Sequence, residues 1–112
     1  MSNISKIDPR DKTDPVQSGY HNEAVTALND HVIRISVMTS GYPWHLHPNS
    51  DETFIVMEGG LILETQDQVL HLEPGQMATV PANVVHRTRP AGARSVNLTV
   101  ERENTKTVLA EA

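Results

Sequence analysis

The chain has 112 residues, a formal net charge of −5, no cysteine and an apolar fraction of 38%. That length suits one domain with a single core, and the acidic balance argues against a nucleic-acid partner, which needs a basic face. Zero cysteines exclude disulfides, iron–sulfur clusters and thiolate metal sites, so any metal must be held by imidazole and carboxylate.

Residues 1–20 carry two Asp-Pro steps, Asp8-Pro9 and Asp14-Pro15, among polar neighbours. Proline disfavours helix in the residue before it, which predicts an extended N-terminal arm, with residues 21–112 as the folded domain. No apolar leader follows Met1 and no run reaches membrane-spanning length, so the expected location is cytoplasmic, away from any membrane. Ala24–Leu28 and Val32–Met38 read as strands around the turn Asn29-Asp30. In the second, Ile33, Ile35 and Val37 share one face while Arg34 and Ser36 share the other.

The next stretch, Gly41 to Gly59, is the most informative. His45 and His47 stand two apart on a predicted strand, Trp44–His47, so their imidazoles project to the same face. Pro48-Asn49-Ser50-Asp51 reads as a turn, after which Glu52 begins a neighbouring strand through Thr53–Met57. Trp44 and Leu46 then face away into packing, whereas Phe54 and Val56 share the Glu52 face. Glu58-Gly59-Gly60 is a tight turn with Leu61–Thr65 returning as a hairpin partner. Gln66-Asp67-Gln68 turns before Val69–Leu72, and Glu73-Pro74-Gly75 turns before Met77–Val80. Val84–Thr88 carries His86, the candidate fourth donor, and Ser95–Glu101 is the last clear strand. Val108-Leu109-Ala110 suits either a strand or a short helix. Short strands at near-regular spacing, with no convincing helix, predict an all-β sandwich or barrel.

These residues resemble the two motifs of the cupin superfamily. The first appears as Gly41, His45-Leu-His47, four residues, Glu52, six residues and Gly59. The second appears as Gly75, five residues, Pro81-Ala-Asn83, two residues, His86, three residues and Pro90. Three positions depart from the family pattern: the approach from Gly41 to His45 is short, Asn83 replaces a turn glycine, and Pro90 replaces an asparagine. None is a presumed ligand. The resemblance implies a small single-domain cupin, a jelly-roll barrel or double-stranded β-helix. It also implies one divalent metal on His45, His47, Glu52 and His86, from among Mn, Fe, Co, Ni, Cu and Zn. Asp51 reads as a turn residue and His21, His31 and His71 as surface or loop residues. Tyr42, Met38, Met57, Met77 and Arg87 are pocket or rim candidates for which core or solvent is the simpler reading.

Dioxygenases, sugar isomerases, decarboxylases, lyases and non-catalytic binders all share this resemblance. The expectation is an oxygenase-like enzyme on a small oxygenated molecule, with a redox-neutral isomerase or lyase, or a ligand-binding module, as the alternatives. No acid or base beyond the four ligands stands out. The apolar face of Val32–Met38 further predicts a homodimer, with the arm helping to form the contact.

Overall fold

Among the described residues, alternating apolar and polar side chains place ten short strands in two five-stranded antiparallel sheets. The structure, a computed structural model, describes residues 3–111; residues 1, 2 and 112, at the outer ends of the expected arm and domain, lie outside the described residues. The strands are β1 (Tyr20–Leu28), β2 (His31–Met38), β3 (Tyr42–Leu46), β4 (Glu52–Glu58), β5 (Leu61–Glu64), β6 (Val69–Leu72), β7 (Met77–Val80), β8 (His86–Pro90), β9 (Ser95–Arg102) and β10 (Val108–Leu109). One sheet has the order β1-β2-β9-β4-β7 and the other β10-β3-β8-β5-β6. This is the all-β jelly-roll barrel that the sequence predicts.

The space between the sheets is filled by Met38, Phe54, Val56, Leu61, Leu63 and Val80. Burying side chains of this kind contributes about 1.5–3 kcal/mol each. A second cluster, Ile35, Val37 and Val96, lies on the outer face of the first sheet. Val16 from the N-terminal segment packs against it, and Thr13 beside it is buried.

Several details differ from the sequence reading, beyond strand ends such as that of β1, which begins at Tyr20 rather than Ala24. The arm is not extended throughout: Arg10–Thr13 forms one helical turn, α1. Pro9 opens it, where proline lacks only an amide that the first turn leaves unbonded anyway, and the Asp8 carboxylate accepts the Arg10 amide at 3.0 Å. Glu58 and the Arg94 guanidinium pair at 2.9 Å, and the same guanidinium donates to the Thr13 carbonyl, which pins the arm to its own sheet. The apolar face of β2 that predicted pairing is therefore partly covered from within the chain.

β5 is not the hairpin partner of β4. The two belong to different sheets, because Gly59 and Gly60, at φ of 83° and 102°, let the chain cross between them. Likewise β3 and β4 are not neighbours but face each other across the barrel. Finally, β8 begins at His86 rather than Val84, and the ambiguous tail is a strand, β10, paired with β3.

Candidate metal centre

His45 on β3 and His86 on β8 are direct cross-strand partners, which sets their rings 4.1 Å apart between centroids. His47 follows immediately after β3, two residues on and therefore on the same inward face. Its carbonyl accepts the amide of Asn83 at 2.9 Å, and Asn83 sits at φ of 69°, a left-handed conformation that asparagine tolerates. Glu52 opens β4 on the opposite sheet and points across at the three histidines. All four side chains are buried, and one donor atom from each lies within 4.8 Å of the others. The structure thus brings together His45, His47, Glu52 and His86.

The outer nitrogen of each imidazole is tied to a backbone carbonyl. His45 Nδ1 lies 2.7 Å from the Pro43 oxygen, His47 Nδ1 3.0 Å from that of Lys106, and His86 Nδ1 2.8 Å from that of Val84. A carbonyl can only accept, so each Nδ1 carries a proton and each ring turns its Nε2 to the centre, where that of His47 meets the Glu52 carboxylate at 3.2 Å. This arrangement orients imidazoles for metal coordination. His86 Nε2 is buried without a hydrogen-bond partner among the described residues. Glu52 Oε1 is near it, at 3.4 Å, but the contact is too poorly aligned to count as a bond.

Electrostatics follow from burial and proximity. Burial alone would raise the Glu52 carboxyl, but the hydrogen bond from His47 and the nearness of the His47 and His86 imidazoles outweigh it and hold the group at about 2. Burial opposes protonation of His47, yet the Glu52 carboxylate 3.2 Å from its Nε2 prevails and raises it. His45 is pushed down to about 4, mainly by burial. Three imidazoles and one carboxylate of this kind fit a divalent transition metal, which would take the place of the proton shared by His47 and Glu52.

A chamber of about 60 Å³ borders His45 and Glu52. It shares Tyr20, Asn22 and Tyr42 with an outer pocket of about 260 Å³ edged by Arg34 and Glu101. Glu101 is buried, lies 3.3 Å from Arg34, and is raised chiefly by burial and then by the Glu52 charge. A larger cleft, about 540 Å³, opens at Leu63, Leu70, Ala78 and Val80, but none of the four clustered residues lines it.

Among the other candidates, Tyr42 packs edge-on to His45 at 4.7 Å and Met38 lines the chamber. Phe54 faces inward, 6.2 Å from His86. Trp44 lies on the outer face under the Arg87 guanidinium, which also pairs with Glu64, and both are away from the centre. Met57 and Met77 are exposed. His21, His31, His71 and Asp51 stand outside the cluster; Asp51 accepts the Ala82 amide at 2.8 Å, steadying the loop before His86. Tyr20, Asn22, Ser36, Asn97 and Thr99 also line the chamber, and nothing in the motifs marked them. Their signal was positional: β2 and β9 alternate polar and apolar residues, and the polar set is the one that faces in.

The cupin domain family model matches residues 32–100. The YdbB protein of Bacillus subtilis (strain 168) is 40% identical over 97 residues, covering 86% of this chain and 85% of that protein. Quercetin 2,3-dioxygenase of the same organism is 42% identical over 45 residues, which is 40% of this chain but only 13% of the enzyme. Among solved structures, a cupin-2 domain containing protein from Shewanella frigidimarina superposes with a TM-score of 0.78 at 28% identity, covering 87% of this chain and 94% of that one.

Proposed function

The chain belongs to the cupin family, and from that premise we propose that it is a metal-dependent enzyme with oxygenase-type chemistry on a small oxygenated molecule. One divalent transition metal per chain is held by His45, His47, Glu52 and His86. The observation that carries this reading is the convergence of three imidazole nitrogens and one carboxylate within 4.8 Å, every Nδ1 being tied to a carbonyl. The orphaned His86 Nε2 is the atom that most directly asks for a cation.

When bound, such a metal supplies a Lewis acid with open positions and, in a redox-active form, reactivity toward dioxygen. The protein's own part is to hold four donors in place and to shape access. Phe54, Met38 and Leu61 give the chamber apolar walls that limit water, while Tyr42 packs against His45 and fixes its ring. The 45-residue similarity to quercetin 2,3-dioxygenase supports oxygen chemistry over a redox-neutral isomerase or lyase.

The test is to load the purified chain separately with Fe, Mn, Co, Ni, Cu and Zn, measure metal per chain, and follow oxygen uptake with quercetin and simpler hydroxyketones. Oxygen consumed by a redox-active form but not by the zinc form supports the proposal. Turnover without oxygen uptake replaces it with the redox-neutral reading, and binding without turnover with a ligand-binding module.

A homodimer is also proposed, through the outer face of the β1-β2-β9-β4-β7 sheet. Leu98, Ile55 and Met77 lie in one cross-strand row there, Met77 and nearby Met57 being exposed. Among the described residues, no helix is long and apolar enough to cross a membrane.

A further inference from the structure

Strand register builds a polar wall opposite the histidines. Asn22, Ser36 and Asn97 are successive cross-strand partners on β1, β2 and β9, and Thr99 follows Asn97 on the same inward face. Asn97 is 1% exposed and Thr99 3% exposed, and both line the chamber that borders His45 and Glu52. Asn97 Nδ2 donates to Ser95 Oγ at 3.0 Å, yet Asn97 Oδ1 and Thr99 Oγ1 have no hydrogen-bond partner among the described residues. Exchanging the amide oxygen and nitrogen would not remove the deficit, because Ser95 can engage only one end of the group. Buried polar atoms are almost always partnered, so two without partners on one wall of one chamber require an explanation.

We propose that Asn97 and Thr99 recognise the hydroxyl-bearing head group of a small neutral molecule. The head group sits in the inner chamber between this wall and the His45–Glu52 side. At about 60 Å³ the chamber has room for the equivalent of about four waters, a few heavy atoms rather than a ring system. The remainder of the molecule extends into the outer pocket past Tyr20 and Tyr42. Charge selects against an anion there. Arg34 is already engaged by Glu101 at 3.3 Å and by Asn22 Oδ1 at 3.2 Å, and Glu103 adds a further negative charge to the same pocket. The two atoms differ in what they offer: Asn97 Oδ1 only accepts a hydrogen bond, whereas Thr99 Oγ1 both donates and accepts. Together they suit a hydroxyl, which does the same.

This inference rests on the metal-site reading for the chemistry at the opposite wall, and the two fail separately. The full chain is first loaded with zinc, which is diamagnetic, and its metal content measured; failure to take up zinc counts against the metal site. The zinc-loaded and metal-free chains, nitrogen-15 labelled, are then titrated with propane-1,2-diol and, as an anion of similar size, lactate, following the backbone amides at 97 and 99. The diol is expected to give a saturable shift, with lactate binding the metal-free chain, where it has no zinc to chelate, at least fivefold more weakly. Thr99→Val, nearly equal in volume, and Asn97→Leu should each raise the diol dissociation constant at least fivefold. Thr79→Val on the outer face should leave it unchanged, and Thr99→Val alone suffices if Asn97→Leu does not fold. A chain that takes up zinc but shows no saturable diol shift overturns the proposal. So does an undiminished response in Thr99→Val, or lactate binding the metal-free chain as well as the diol.

Discussion

His86 Nε2 and Glu52 Oε1 face each other at 3.4 Å across the two sheets without forming a hydrogen bond. A lone pair opposite a carboxylate is repulsive unless a proton or a cation lies between them. Glu52→Gln keeps the shape and removes the charge, so metal affinity measured against a competing chelator should fall at least tenfold, roughly 1.4 kcal/mol or more. In the wild-type protein, metal at a hundredfold excess over its dissociation constant should add about 2.7 kcal/mol to stability. Unchanged affinity in the variant would remove Glu52 from the coordination set.

Asn49 acts on the site from outside it. Its Oδ1 accepts the Lys106 amide at 2.9 Å, its Nδ2 donates to the Asn104 carbonyl at 2.9 Å, and the Lys106 carbonyl in turn holds His47 Nδ1. Asn49→Ala releases that segment and loosens the His47 ring. The expected result is a metal affinity about tenfold weaker, as for other groups that orient a ligand, with the strand content of the circular dichroism spectrum retained. An affinity equal to wild type would show that His47 is held without the tail.

The acid response of the metal-free protein has a definite sign. His45, held down at about 4 in the folded chain, should stay neutral while the unfolded chain takes up its proton near 6.5. Stability should therefore fall between pH 6.5 and 4, by on the order of 2 kcal/mol after allowing for solvent reaching the chamber. Glu52, depressed to about 2, contributes stability above 4.5 that is lost as the pH drops toward 2. His47 works the other way: its raised pKa contributes stability below 6.5 that is lost as pH rises through the folded value. Urea melts at pH 7, 5.5 and 4 check this, and His45→Gln should flatten the upper part of the acid slope. An unaltered slope in that variant would mean another group carries it.

Strand positions and the four clustered residues were legible because each has a local signature. His45 and His47 share a face by spacing alone, and glycine, proline and asparagine mark the turns. What spacing cannot carry is which sheet a strand joins. Gly59-Gly60 reads equally well as a hairpin turn or a crossover, and only the pairing of β5 with β6 and β8 decides between them. Facing is harder still. Arg34, Ser36, Asn97 and Thr99 look like solvent residues on amphipathic strands, yet Ser36, Asn97 and Thr99 line the chamber, while apolar Ile35 and Val37 pack outside it. That inversion arises because Val16 on the returning arm and Val25 cover the outer face, contacts distant in sequence. The Asp-Pro steps, for their part, concealed the single turn of α1.

Two turn glycines should respond very differently to alanine. At Gly59, with φ of +83°, an added Cβ would stand 1.9 Å from the Arg94 carbonyl oxygen, so backbone must move. At Gly75, with φ of +88°, no atom lies within 4 Å of the same Cβ, and only the left-handed conformation is penalised. Gly75→Ala should cost about 1–2 kcal/mol, and Gly59→Ala clearly more, of order 3 kcal/mol, because the crossover must be displaced. Thermal melts of both variants check the order. Equal losses would mean that the Gly59 crossover relaxes freely.

The dimer proposal needs a more careful truncation than the sequence suggests. Residues 10–16 hold α1 and Val16 over Ile35 and Val37, so deleting the whole arm would strip the outer core of the sheet and confuse instability with dissociation. Residues 3–7 are the better target, since Ile4 and Ile7 are 97% and 40% exposed, whereas Asp8 and Pro9 start the turn of α1 and should be kept. The face offered for pairing is the row Leu98–Ile55–Met77, continued by Met57. Unlike scattered surface hydrophobics, adjacent apolar residues on one sheet face mark an association surface. Light scattering at micromolar concentration should give twice the chain mass, and Met77→Lys with Ile55→Lys should give the monomer with its metal content intact. Removing residues 1–7 should weaken the dimer by raising its dissociation constant, because the contacts of Ile4 and Ile7 with the partner are lost. A wild-type monomer would refute pairing, and an unchanged dimer after truncation would refute the arm's share in it.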